Sequence, residues 1–160
     1  MKTVLGLGGN LGNREENLAM AVEELEKLPR TRLLAMSNLY ETAPFDVASE
    51  QPDYLNCCVL AETRLSPEEL LEQCLAIENR LGRVRTEYHG ARTVDIDLLL
   101  FEGCRKDTER LTLPHPRMLE RAFVLAPLSD LFPGHIAPPF QFDFSEAYQA
   151  VDKTGARLYK

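Results

Sequence analysis

Arg92-Thr93-Val94-Asp95-Ile96-Asp97-Leu98-Leu99-Leu100-Phe101 is the stretch on which the reading of the fold turns. Side chains two apart on a strand share a face. A strand over 93–101 therefore turns Ile96, Leu98 and Leu100 one way and Asp95 and Asp97 the other. The apolar series is that of a buried face. The carboxylates then need a cleft that reaches solvent, or neutralising partners, because unpaired charges packed in a core are costly. Oxygen ligands at this spacing suit a hard cation such as Mg²⁺ held against phosphate oxygens. A bare Asp-x-Asp is short, and on its own it more often marks two solvated residues on an exposed strand. Its setting shifts the balance. Arg83, Arg85 and Arg92 precede it, and Arg110, His115 and Arg121 follow, so cations able to pair with phosphate flank it on both sides.

Working outward, residues 2–7 read as a first strand running into the glycine-rich turn Gly8-Gly9-Asn10-Leu11-Gly12. Asn13 with Glu16 three residues on is a capping-box pattern opening a helix over 14–27. Leu18, Val22 and Leu25 recur along it at helical spacing, and Pro29 ends it. Residues 33–41 and 54–63 read as the second and third strands, separated by a loop over 42–53. Ser66-Pro67-Glu68-Glu69 is a strong helix start, with Ser at the N-cap, Pro in the first position and Glu in the third. Leu70, Cys74, Ile77 and Leu81 form its apolar stripe, and Gly82 stops it. Downstream come a hairpin over 103–110 and short helical pieces at 117–121 and 124–131. The order β-α-β-β-α-β predicts an α+β, ferredoxin-like sandwich with helices on one face of an antiparallel sheet. A length of 160 residues suits one domain, 1–160.

The formal net charge of −7 argues against a nucleic-acid or membrane-surface binder, which would carry a basic face. A small anionic substrate is still allowed where arginines gather in one cleft. None of the four cysteines forms a Cys-x-x-Cys pair, and buried free thiols in a reducing cytoplasm are the plain reading. The first residues carry no apolar stretch of signal-peptide length, and no window approaches a membrane span. Gly6-Leu7-Gly8-Gly9-Asn10-Leu11-Gly12 invites a dinucleotide-binding reading, but its third glycine falls one position late and no βαβ unit follows; a tight turn or close backbone approach is preferred. A Walker A lysine motif is absent, so ATP would be held without a P-loop. His89 and His135 lack partners at zinc spacing, and His135 reads as a surface residue.

With these residues in view, the sequence resembles the 6-hydroxymethyl-7,8-dihydropterin pyrophosphokinases. The resemblance runs in order through Gly8-Gly9-Asn10-Leu11-Gly12, Tyr40-Glu41-Thr42 and Gln51-Pro52-Asp53-Tyr54-Leu55-Asn56. It continues through Glu78, Gly82-Arg83-Val84-Arg85, Gly90-Ala91-Arg92-Thr93-Val94-Asp95-Ile96-Asp97, Leu113-Pro114-His115 and Arg121-Ala122-Phe123. It implies a cytoplasmic monomer of folate synthesis, binding ATP and the pterin side by side. Two Mg²⁺ ions are expected between the phosphates and Asp95 and Asp97. The pterin hydroxyl would attack the β-phosphorus of ATP, and AMP would leave. Carried over by position, Arg83 and Arg92 would contact the transferring phosphates. Glu78, Arg85, Arg110, Thr112, His115 and Arg121 would hold ATP. Thr42, Ala43, Phe45, Tyr54, Asn56, His89 and Phe123 would form the pterin pocket. Without the family, Tyr54 and Phe123 read equally well as core packing, whereas an amide at Asn56 inside an apolar strand needs a partner. Two rivals remain at this level: a ligand-binding module without chemistry, and a two-metal phosphohydrolase in which water replaces the pterin hydroxyl.

Overall fold

The computed structural model describes residues 1–43, 53–82 and 94–160. The elements are β1 (Lys2–Gly9), α1 (Arg14–Glu26), β2 (Thr31–Met36), β3 (Tyr40–Thr42), β4 (Tyr54–Thr63), α2 (Pro67–Arg80) and β5 (Asp95–Phe101). They continue with β6 (Lys106–Asp107), β7 (Thr112–Leu113), α3 (Ala122–Leu131), β8 (Ile136–Ala137), β9 (Phe142–Asp143), α4 (Ser145–Ala150) and β10 (Ala156–Leu158), and a 3-10 turn at Met118–Glu120 precedes α3. The main sheet runs β10-β3-β4-β1-β5, with β2 also paired to β4. Its pairings are antiparallel.

Local chemistry explains where the first two helices begin. Glu16 N–H donates to Asn13 Oδ1 at 3.1 Å. At α2 both halves of a capping box are made: Glu69 N–H donates to Ser66 Oγ at 3.1 Å, and Ser66 N–H donates to Glu69 Oε1 at 2.9 Å. Leu18, Ala21 and Leu25 of α1 and Leu70, Cys74 and Ile77 of α2 pack on Leu5, Leu7, Leu55, Val59, Ile96 and Leu98. We call this side of the sheet the back. Helices on one face only, as the sequence predicts, is an incomplete description. A second core lies on the front, where Met118, Val124, Leu125, Leu128 and Phe144 cover Val4, Cys58, Leu99 and Leu100. Helix α3 buries five consecutive residues, Val124 to Leu128, and such a helix needs cover on more than one side.

Three strand readings are corrected. Ile96 and Leu98 do face the back, but Leu100 does not. Leu5 pairs with Leu98 while Val4 pairs with Leu100, so Leu99 is an extra residue in β5 and the bulge sends Leu100 to the front. The strand read over 33–41 is two strands, because Ser37 Oγ accepts the Cys58 N–H at 2.8 Å and interrupts the ladder. Finally, β1 runs to Gly9 rather than stopping at 7; the backbone turns with positive φ at Gly12, φ 65°. Of the cysteines, Cys57, Cys58 and Cys74 are buried, and burial pushes the Cys57 and Cys74 thiols up to about 12. His135, read as a surface residue, instead lies against the Tyr148 ring with 3.9 Å between ring centroids. No described helix is long and apolar enough to cross a membrane.

Helix α3 is tied to β3 and the residues just before it through Asp130. Tyr40 Oη donates to Asp130, lying 3.0 Å from each carboxylate oxygen, and Asn38 N–H donates to the same group at 3.0 Å. Burial first, then the Asp130 hydrogen bond, pushes the Tyr40 phenol up to about 12 from 10.0. The neutral phenol is the form the fold prefers. Its contribution is therefore complete below pH 10.0 and is lost as pH rises toward about 12. Urea denaturation across this window should show stability falling with pH, and Tyr40→Phe should flatten that slope.

Candidate active site

The floor of the site follows from register. On the front, Asn56 of β4, Gly8 of β1 and Asp95 of β5 form one row; Cys58, Gly6 and Asp97 form the next. Each aspartate thus faces a residue with no side chain. The glycines are filled differently. A Cβ on Gly8 would come within 2.5 Å of Asn56 Oδ1, so the amide lies across that position; at Gly6 the nearest atom is Leu99 Cδ1, at 3.1 Å. Asn56 has the partner its position demands: Nδ2 donates to Thr42 Oγ1 at 2.9 Å, both residues being buried. Tyr54 pairs with Thr42 in the same ladder and is half-buried, while Ala43 is exposed just beyond β3. Four of the pterin candidates are thereby gathered at one end of the β3–β4 pair.

Asp95 and Asp97 are half-buried, and β5 is an edge strand. Glu78, expected to line the nucleotide site, has a structural bond at the same place. Its buried carboxylate accepts the Ile96 N–H at 2.6 Å, bracing the strand between the two aspartates. Among the described residues no group of three or more His, Cys, Asp or Glu side chains could hold a metal. Two hard carboxylates on one face fit Mg²⁺ nonetheless, since this ion commonly keeps waters and takes substrate phosphates beside one or two protein carboxylates.

Beyond the aspartates lie His115 and Arg121, both near enough to feel the Asp97 charge. Burial lowers the His115 pKa, Asp97 opposes this, and Arg121 and Arg117 add to it. The shift favours the neutral ring. Its Nδ1 accepts the Arg117 N–H at 3.3 Å, which assigns the ring proton to Nε2. Burial likewise lowers the Arg121 pKa, a guanidinium that stays charged; it sits 5.3 Å from the Phe123 ring centroid. The structure therefore brings Arg121, a nucleotide candidate, onto Phe123, a pterin candidate. Arg110 is exposed and pairs with Glu72 of α2, and Thr112 Oγ1 reaches Thr108 O at 3.5 Å on the β6–β7 hairpin. Phe45, Arg83, Arg85, His89 and Arg92 lie outside the described residues. What the sequence reading missed is the glycine floor. Its signal was present, since Gly6-Leu7-Gly8 in a strand puts two glycines on one face.

A family model described as 7,8-dihydro-6-hydroxymethylpterin-pyrophosphokinase (HPPK) matches residues 4–133. The 2-amino-4-hydroxy-6-hydroxymethyldihydropteridine pyrophosphokinase of Methylorubrum extorquens is 46% identical over 132 residues, covering 82% of this chain and 83% of that protein. The Bacillus subtilis protein of the same name is 40% identical over 156 residues, or 98% of this chain and 89% of its own. The folic acid synthesis protein fol1 of Schizosaccharomyces pombe is 39% identical over 97% of this chain, which spans only 21% of that protein's length. A crystal structure of Plasmodium falciparum HPPK-DHPS shares the fold, with a TM-score of 0.65 at 14% identity over 92% of this chain and 43% of its own. The match over 4–133, together with bacterial relatives at this identity covered over most of both lengths, shows that the chain belongs to the HPPK family.

Proposed function

We propose that the front of the sheet carries pyrophosphoryl transfer from ATP to the hydroxymethyl group of 6-hydroxymethyl-7,8-dihydropterin, as a step in folate synthesis. The observation that carries this reading is the pair of rows in which Asp95 and Asp97 face glycines while Asn56 lies across Gly8. One end of that floor suits a cation and phosphates, and the other suits the donor and acceptor edge of a flat heterocycle. The hydroxymethyl oxygen forms a bond to the β-phosphorus and gives up its proton to solvent, the bond from that phosphorus to the α-phosphate oxygen breaks, and AMP departs. Such a transfer needs in-line positioning and charge neutralisation more than covalent help.

Asp95 and Asp97 would hold Mg²⁺, with two ions the expected complement, and the metal would neutralise charge on the phosphate oxygens. The protein's own groups do the rest. Arg121 adds a cation beside Asp97, and neutral His115 offers the Nε2 proton to an acceptor oxygen or ring nitrogen without bringing charge. Glu78 fixes the strand that bears both aspartates. Arg110 and Thr112 would complete the nucleotide side, and they, like Arg83, Arg85 and Arg92, are assigned there from the family resemblance. Thr42, Ala43, Tyr54, Asn56 and Phe123 form the pterin side, with Phe45 and His89 assigned on the same resemblance. We further read 1–160 as a single domain acting as a cytoplasmic monomer.

The test is a nucleotide-product assay with Mg²⁺-ATP and the pterin, each also omitted in turn. Pterin-dependent AMP without matching free pyrophosphate is the expected result. Hydrolysis that ignores the pterin would favour a phosphohydrolase, and no turnover a silent binding module. Asp97→Ala should keep its circular dichroism spectrum while kcat falls by roughly a thousandfold, the scale of losing a principal electrostatic group. Gly8→Ala should displace the Asn56 amide from Thr42, destabilise the fold by about 1 kcal/mol and raise the KM for pterin more than that for ATP. Steady-state kinetics with each substrate varied separately checks that asymmetry.

A further inference from the structure

Four charged side chains meet on the back of the sheet, directly behind the pterin end of the floor. Arg14, the first residue of α1, donates through Nη1 to Glu41 Oε2 at 2.6 Å and to the Asp53 carbonyl at 3.0 Å. Arg157 of β10 donates through Nη2 to Asp53 Oδ2 at 2.9 Å and to Glu41 Oε1 at 3.4 Å. The Tyr159 ring lies beside Arg14, 5.5 Å from Cζ to the centroid. The side chains of Arg14 and Glu41 are 22% and 26% exposed, while those of Arg157 and Asp53, at 52% and 37%, are open to water.

Register shows what the cluster holds. Glu41 pairs with Leu55, whose side chain belongs to the back core, and the neighbouring pair is Thr42 with Tyr54. Glu41 and Asp53 are thus the residues flanking Thr42 and Tyr54 in the chain, with their charges behind the sheet. A single guanidinium nitrogen bridges the end of β3 to the start of β4. It does so from the helix that follows the β1 glycines, whose Gly8 carries the Asn56 amide.

We propose that Arg14 is a positioning residue for the pterin side of the site: from behind the sheet it locks the β3 and β4 ends together, and so sets the Thr42–Asn56 hydrogen bond that presents the amide to substrate. The inference rests on the reading that Thr42, Tyr54 and Asn56 face the pterin. Arg14 touches no substrate. Helix α1 is anchored independently by Leu18, Ala21 and Leu25, so loss of the guanidinium leaves the core intact. Partly exposed ion pairs add little to global stability. A small shift of a recognition group, by contrast, is expensive in binding and orientation.

The experiment is steady-state kinetics on the full chain and on Arg14→Ala, Arg14→Lys and Glu41→Gln, with thermal melts alongside. Arg14→Ala should raise the KM for pterin about tenfold while the KM for ATP stays within about twofold. Glu41→Gln should move in the same direction. Arg14→Lys, which keeps a cation for Glu41, should recover most of the loss. A folded Arg14→Ala variant with unchanged pterin KM would overturn the inference while leaving the reaction standing. So would a parallel rise in both KM values with a collapsed melting temperature, which marks a merely structural residue. A wild-type chain without pterin-dependent AMP would overturn the proposed reaction, and this inference with it.

Discussion

The structure depends on a strip of missing side chains. Strand β1 is central, paired with β4 on one side and β5 on the other, and buried on its back by two helices. A central strand in such a place normally fills both faces with apolar side chains. Here the front of β1 passes from Val4, inside the second core, to Gly6 and then Gly8. Where the side chains stop, Leu99 fills the place at Gly6, the Asn56 amide of β4 lies across Gly8, and Asp95 and Asp97 of β5 flank the strip. A side chain at Gly8 would collide with the Asn56 amide, so the polar floor and the close packing of the sheet are one constraint.

The same constraint orders the charges. The chain is acidic overall, at −7, yet its candidate site has to receive polyphosphate. Around Asp97 the structure gathers His115 and Arg121, each partly desolvated. Desolvation acts differently on the two. It holds the imidazole neutral, so His115 is a donor rather than a cation, while the guanidinium keeps its charge and leans on Phe123. Glu78 is spent on the backbone of β5, its charge set against the Ile96 N–H. Long-range acidity and local phosphate binding are compatible because His115 and Arg121 lie near enough to Asp97 to feel its charge.

How much of this was legible in the sequence depends on the range of the signal. Capping at Ser66 and the alternation through Asp95, Ile96 and Asp97 are local, and both read correctly. The alternation failed one residue after Leu98, because a bulge is set by pairing with Val4 and Leu5, which no local pattern records. Three consecutive leucines mark a strand buried on both faces and conceal where it slips. The break at Ser37 rests on a hydroxyl finding the Cys58 N–H across the sheet, again a non-local event. Likewise the last thirty residues carry no motif, yet they supply β10 to the sheet edge and Phe144 to the front core. The candidate site residues come from motif and resemblance, and the arrangement of the described ones on the floor is read from register.

On the proposed reading, the two faces of the β3–β4 end divide the labour of recognition. Its front keeps Thr42 and Asn56 bonded to each other and almost fully buried. Its back carries Arg14, Glu41, Asp53 and Arg157, which are charged and reach water. Had the charged brace been on the front, it would have competed with a neutral heterocycle for the same donors and acceptors. Moving it behind the sheet lets strong, geometrically directed bonds act on strand spacing without entering the pocket. Because α1 follows directly on the β1 glycines, a guanidinium at its first turn ties that spacing to the glycine floor. The proposed recognition geometry would thereby be held by contacts whose cost in desolvation is low and whose reach is a single residue in register.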